Sequence, residues 1–145
     1  MRLLRPSGTT AIVEPYDKED LSTGAIYLAP PNYHMLVDER SVHLSVDAPE
    51  HNSRPSIDAL FDSAARAFRS RTIAVILSGS NSDGASGAGI VDDYGGQVLV
   101  QDPATAEAPE MPTAALKRVP AARKMTVDVI AKTLSTLLAK QSNRP

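Results

Sequence analysis

Ile73-Ala74-Val75-Ile76-Leu77, followed at once by Ser78-Gly79-Ser80-Asn81-Ser82-Asp83-Gly84-Ala85, decides the fold class. A short, wholly apolar, β-branched run that breaks into small and polar residues is the pattern of a buried parallel strand ending in a loop. In α/β folds the chemistry gathers at the carboxyl ends of such strands. Asp83 stands at that edge and is the leading candidate for a catalytic group.

Downstream, residues 85–94 read as a helix that Gly95-Gly96 terminates, and Gln97-Val98-Leu99-Val100 as the next buried strand. Strand, helix and strand with short connections imply a parallel crossover, right-handed by the general rule. Upstream, Pro55 opens a segment whose apolar positions Ile57, Leu60, Phe61, Ala64, Ala65 and Phe68 recur at spacings of three and four, one face of a helix. Before it lie four short β-type runs: Ala11-Ile12-Val13, Ala25-Ile26-Tyr27-Leu28, Met35-Leu36-Val37 and residues 41–46. The last three, parted by turn formers, predict an antiparallel hairpin or meander. Pro109, Pro112 and Pro120 interrupt residues 104–119, so short helical turns and no long element are expected there. Residues 126–140 predict a C-terminal helix with Val127, Ile130, Leu134, Leu137 and Leu138 as its stripe, and residues 141–145 a frayed tail.

The chain has 145 residues, enough for one domain that buries roughly 70% of the surface its unfolded chain would expose. Apolar residues make up 42% and charged residues 22%, which excludes a wholly disordered chain. A formal charge of −2 with scattered basic residues argues against nucleic acid or an anionic membrane as partner. With no cysteine, disulfides, thiolate zinc sites and a cysteine nucleophile are excluded. No stretch approaches the roughly 20 apolar residues of a membrane span, and residues 1–6 lack the apolar core of a signal peptide. A cytoplasmic protein is expected.

A carboxylate at Asp83 is placed to orient a histidine ring, although Asp-Gly is also an ordinary turn pair. Gly79, Gly84, Gly87 and Gly89 offer a second reading, backbone amides open to a phosphate at a helix N-terminus, but no dinucleotide or P-loop spacing accompanies them. His34, His43 and His51, with Asp47 nearby, lack the paired spacing of metal ligands, so no metal or cofactor is expected. His34 suits a hydrogen-bonded structural role. Ser80, Ser82 and Ser7 lie outside any G-x-S-x-G setting, so none is assigned as nucleophile. Residues 52–58 read as caps and first-turn charge for the helix that follows, with Arg54 as an anion or carbonyl contact at the site mouth.

Four stretches in order resemble the chemotaxis protein-glutamate methylesterases of the CheB type. They are residues 24–31 with Tyr33-His34-Met35-Leu36-Val37; Ser53-Arg54-Pro55-Ser56-Ile57-Asp58 with Leu60-Phe61; residues 75–85; and residues 100–107 with Glu110-Met111-Pro112. The resemblance implies a Rossmann-like, three-layer α/β domain with a mostly parallel sheet and a β-hairpin. It also implies hydrolysis of glutamate methyl esters on chemoreceptors, with Asp83 as the acid of a Ser-His-Asp set and a backbone amide near Ser80 facing the oxyanion. The family's serine and histidine match nothing in this chain. The expectation is therefore a partial domain over residues 1–145, first strands missing and no receiver domain, inactive alone. The alternative is a non-catalytic module that binds a receptor or signalling partner.

Overall fold

The computed structural model describes residues 12–142; Ala11 and residues 143–145 of the expected tail fall outside that span, while Gln141 and Ser142, expected in the tail, continue the last helix. Its centre is a three-stranded parallel sheet in the order β5 (Ile73–Ile76), β6 (Gln97–Gln101), β7 (Arg123–Met125). Ile73 pairs with Gln97 and Ile76 with Val100, while Leu99 pairs with Arg123 and Gln101 with Met125. The parallel crossover read from the sequence is present, with α2 (Ala85–Asp93) between β5 and β6.

Alternation along β6 sends Val98 and Val100 to one face and Leu99 to the other, and all three are buried, as strands covered on both faces require. On the first face Ala74, Ile76, Val98 and Val100 pack with Ala65 of α1 (Ile57–Phe68), Ala88 and Val91 of α2, and Ala115 of α3 (Glu110–Arg118). α4 (Val127–Ser142) lies against β6 and buries Ile130. Val127 and Leu138, expected in its core stripe, are exposed.

Two expectations need correction, and one strand was not anticipated. Ile26–Tyr27 (β2) does not join a meander; it pairs in parallel with Ile12–Val13 (β1), and only β3 (His34–Val37) and β4 (Val42–Ser45) form the antiparallel hairpin. Residues 110–118 form a nine-residue helix, because Pro112 falls in its first turn, where no intrahelical N–H bond is lost. Arg123–Met125 is a strand despite two cations, since its backbone completes the β6 ladder.

Candidate functional site

The site is assembled at the start of α1. Ser56, extended at φ −111° and ψ 137°, caps the helix: its Oγ accepts a 3.4 Å bond from the Ala59 N–H. The next two backbone donors have no intrahelical partner. Asp83, 3% exposed, reaches across from the end of the β5 loop to take both. Its Oδ2 accepts from the Ile57 N–H at 2.7 Å and its Oδ1 from the Asp58 N–H at 3.0 Å. The Ser56 hydroxyl donates to the same Oδ1 at 2.9 Å. The carboxylate thus sits at the positive end of a helix with three donors on it. Oδ1 receives two of them and Oδ2 one, which leaves Oδ2 with acceptor capacity.

His34 lies beside this cap, 2% exposed. Its Nε2 is 3.0 Å from the Ala48 carbonyl and its Nδ1 accepts the Ser56 N–H at 3.2 Å. That pattern assigns the ring proton to Nε2. A serine, a histidine and an aspartate are therefore buried together without forming a triad. In a triad the imidazole bridges hydroxyl and carboxylate through its two nitrogens. Here the hydroxyl goes straight to the carboxylate and the imidazole is spent on two backbone groups. The structural role expected for His34 holds.

Asp58 extends the network. Its Oδ1 accepts the Gly87 N–H at 2.6 Å, tying α1 to the first turn of α2. Its Oδ2 lies 3.1 Å from His51 Nε2, close enough for an ion pair but without the alignment of a hydrogen bond. His51 and Asn52 form the tip of a tight turn closed by paired bonds between Glu50 and Ser53, with φ of 49° and 62°. Arg54 Nη1 donates to the Val46 and Asp47 carbonyls at 3.0 and 3.1 Å, so that amine holds the same loop.

The loop between β5 and Asp83 is anchored at both ends. Ser78 N–H donates to Gln101 Oε1 at 3.0 Å, Gly79 N–H to the Ala108 carbonyl at 2.9 Å, and Met111 N–H to the Gly79 carbonyl at 3.0 Å. At the far end the Asp83 N–H donates to Asn81 Oδ1 at 3.0 Å. The N–H groups of Ser80, Asn81 and Ser82 have no partner among the described residues.

Of the four glycines read as open to a phosphate, Gly79 and Gly87 have their N–H groups already taken. The Gly87 N–H is already taken by Asp58, and a Cβ at Gly87 would fall 2.7 Å from Phe61 Cβ and 3.0 Å from Asp58 Cα. That glycine lets α1 and α2 approach closely. The histidines also stay apart: His43 Nε2 pairs with Asp38 at 2.6 Å on the hairpin turn, and Asp47 accepts from Ser45 Oγ. Among the described residues no three His, Asp or Glu side chains gather where a metal would sit, and no helix is long and apolar enough to cross a membrane. Sequence reasoning singled out Asp83 but missed Gln101 and the joint role of Ser56 and Asp58, whose helix-start pattern shows a cap and not what the cap holds.

The geometry defines an α/β domain with a parallel sheet, a buried acid at the carboxyl edge of that sheet and, beside it, a loop whose backbone donors are unpartnered among the described residues. A family model described as CheB methylesterase matches residues 1–134. A Leptospira interrogans relative is 38% identical over 132 residues, covering 90% of this chain and 68% of its own. The Clostridium acetobutylicum protein-glutamate methylesterase/protein-glutamine glutaminase is 35% identical over 115 residues, 79% of this chain and 33% of its own. The crystal structure of the Thermotoga maritima CheB methylesterase catalytic domain superposes with a TM-score of 0.80 at 32% identity, covering 86% of this chain and 68% of that one. The chain belongs to the CheB methylesterase family.

Proposed function

We propose that this chain supplies the acid and the carbonyl-facing loop of a serine-type hydrolase acting on glutamate γ-methyl esters of chemoreceptors in the cytoplasm, with Asp83 as the acid. The observation that carries the reading is the carboxylate of Asp83, buried and fixed by three donors while Oδ2 keeps capacity for one more. A histidine N–H placed on Oδ2 would have its tautomer set and its protonated form stabilised, the task of a triad acid. The serine oxygen then attacks the γ-carbonyl carbon as the histidine takes the hydroxyl proton. The N–H of Ser80 faces the developing oxyanion. Collapse expels methanol, protonated by the imidazolium, and water hydrolyses the acyl-enzyme to glutamate. The Clostridium relative's name pairs this activity with protein-glutamine glutaminase. The two reactions differ only in the leaving group, methanol or ammonia.

His34, His43 and His51 are the three histidines of the chain, and none is bonded to Asp83. We infer that nucleophile and base come from other polypeptide and that this chain alone is inactive. The test is methanol release from a receptor fragment carrying glutamate methyl esters. The chain is assayed alone and mixed with the part of the Thermotoga maritima domain that it does not match. The expected result is silence alone and activity in the mixture, lowered by roughly three to four orders of magnitude in Asp83→Asn. Hydrolysis by the chain alone that survives Asp83→Asn would overturn the reading. Binding of the fragment with no hydrolysis in the mixture would make the chain a non-catalytic module instead.

A further inference from the structure

We propose that Gln101 is the positioning residue of the loop from Ser78 to Ser82, fixing the peptide that sets the free N–H groups of Ser80 and Asn81 toward a substrate carbonyl. The proposal rests on the reading of that loop as the carbonyl-facing element. Gln101 is the last residue of β6, and its side chain is buried at 7% exposure. A buried amide must place both its acceptor and its donors. Gln101 does so between two segments. Oε1 accepts the Ser78 N–H at 3.0 Å, and Nε2 donates to the Thr105 carbonyl at 3.2 Å and to Thr105 Oγ1 at 3.4 Å. Turning the amide over would set N–H against N–H at Ser78 and oxygen against oxygen at Thr105, so its orientation is decided by its neighbours.

Ser78 carries the first loop N–H beyond Leu77, and Gln101 is its only partner among the described residues. The Thr105 end is itself fixed, because the Thr105 N–H and Oγ1 both donate to the Asp102 carbonyl. Gln101 thus transmits the position of the turn after β6 to the loop after β5. Together with the Gly79 bonds to Ala108 and Met111 it immobilises the chain just before the three unpartnered donors. Donors fixed before reaction need no reorganisation when charge develops on the carbonyl oxygen, which is how such groups gain their catalytic worth.

The substitutions separate the two ends. Gln101→Glu keeps an acceptor for Ser78 but meets the Thr105 carbonyl with oxygen; Gln101→Met removes both ends at similar volume. The experiment is NMR of the 145-residue chain, with amide hydrogen exchange and a titration with methylphosphonate, a tetrahedral oxyanion, beside thermal unfolding of each variant. In the unmodified chain Ser78 should exchange at least about tenfold more slowly than Ser80 and Asn81, and methylphosphonate should shift the Ser80 and Asn81 amides. Gln101→Met should release Ser78 and weaken the probe about tenfold, the worth of one hydrogen bond, while Gln101→Glu should stay closer to the unmodified chain. Equal exchange at Ser78 and Ser80 in the unmodified chain overturns the proposal even if a variant fails to fold. So does a folded Gln101→Met with unchanged loop resonances. If the probe leaves Ser80 and Asn81 unshifted while Gln101→Met still frees Ser78, the positioning role stands and the carbonyl-facing reading falls.

Discussion

Replacing Asp83 by asparagine should cost the fold as well as any reaction, and the size of that cost follows from which oxygen holds which donor. The asparagine Oδ1 can retain the Ser56 hydroxyl and the Asp58 N–H, but its Nδ2 then faces the Ile57 N–H, donor against donor. One buried N–H loses a charged acceptor, at about 1.5–3 kcal/mol, and the helix start loses its negative charge, at about 0.3–1 kcal/mol. The sum, about 2–4 kcal/mol, is a large share of the roughly 5–15 kcal/mol that holds a domain together. Urea unfolding followed by far-UV circular dichroism reads it directly. With a slope of about 2 kcal/mol per molar, the middle of the usual range, the midpoint should fall by about 1–2 M. Ser56→Ala is the calibrating partner, because it removes the cap and one of the three bonds and should cost only about 1 kcal/mol. A loss under about 0.5 kcal/mol in Asp83→Asn, the scale of an ordinary surface change, would refute the claim that this carboxylate fastens α1. The same numbers govern the activity assay, since a drop in rate speaks for catalysis only under conditions where the asparagine variant is still folded.

Gly87→Ala should destabilise by about 1–3 kcal/mol in thermal unfolding, since its Cβ meets Phe61 and the Asp58 backbone, and that outweighs the roughly 1 kcal/mol alanine gains in a free helix. Leu99→Ala, at a fully buried position in the middle strand of the sheet, should cost about 2–5 kcal/mol by the same assay, and a smaller loss would mean that its face of β6 is not packed. The Arg40 N–H, then the His43 side chain, then the Ser41 N–H hold the exposed Asp38 carboxyl well below the usual carboxylate range. A lowered folded value means the turn's contribution is complete above the unfolded value of about 4 and is lost as pH falls below it. A carboxyl carbon NMR titration of Asp38 with a midpoint near about 4 would contradict this.

What the sequence displayed most clearly was whatever local pattern controls. The β5 run, the α1 periodicity and the Gly95-Gly96 stop are each written within a dozen residues, and each became the expected element. Partnership was less legible. Nothing in Ile26-Tyr27 tells whether it will pair with the run before it or after it, and the structure chose the earlier one, in parallel. Pro112 misled because the same ring that breaks a helix interior is harmless in a first turn. Arg123–Met125 escaped notice because an edge strand needs backbone partners more than apolar side chains.

The site shows the same division, and it bears on what Asp83 does. Read alone, Asp83-Gly84 has the look of a turn, and Ser56 and Asp58 have the look of a helix start; each reading is locally sound. Only folding brings residues 56–58 onto a carboxylate 25 to 27 positions away. Ser56 Oγ takes one of the unpartnered donors at the start of α1, and Asp83 takes the next two. The further carboxylate, buried at some cost, gains its return as a fixed negative charge at the sheet edge, held on three sides with Oδ2 carrying a single bond. On the proposed reading, the acceptor capacity left on Oδ2 is where a histidine N–H would sit, and the reacting end of the domain would then lie between the start of α1 and the loop that Gln101 holds.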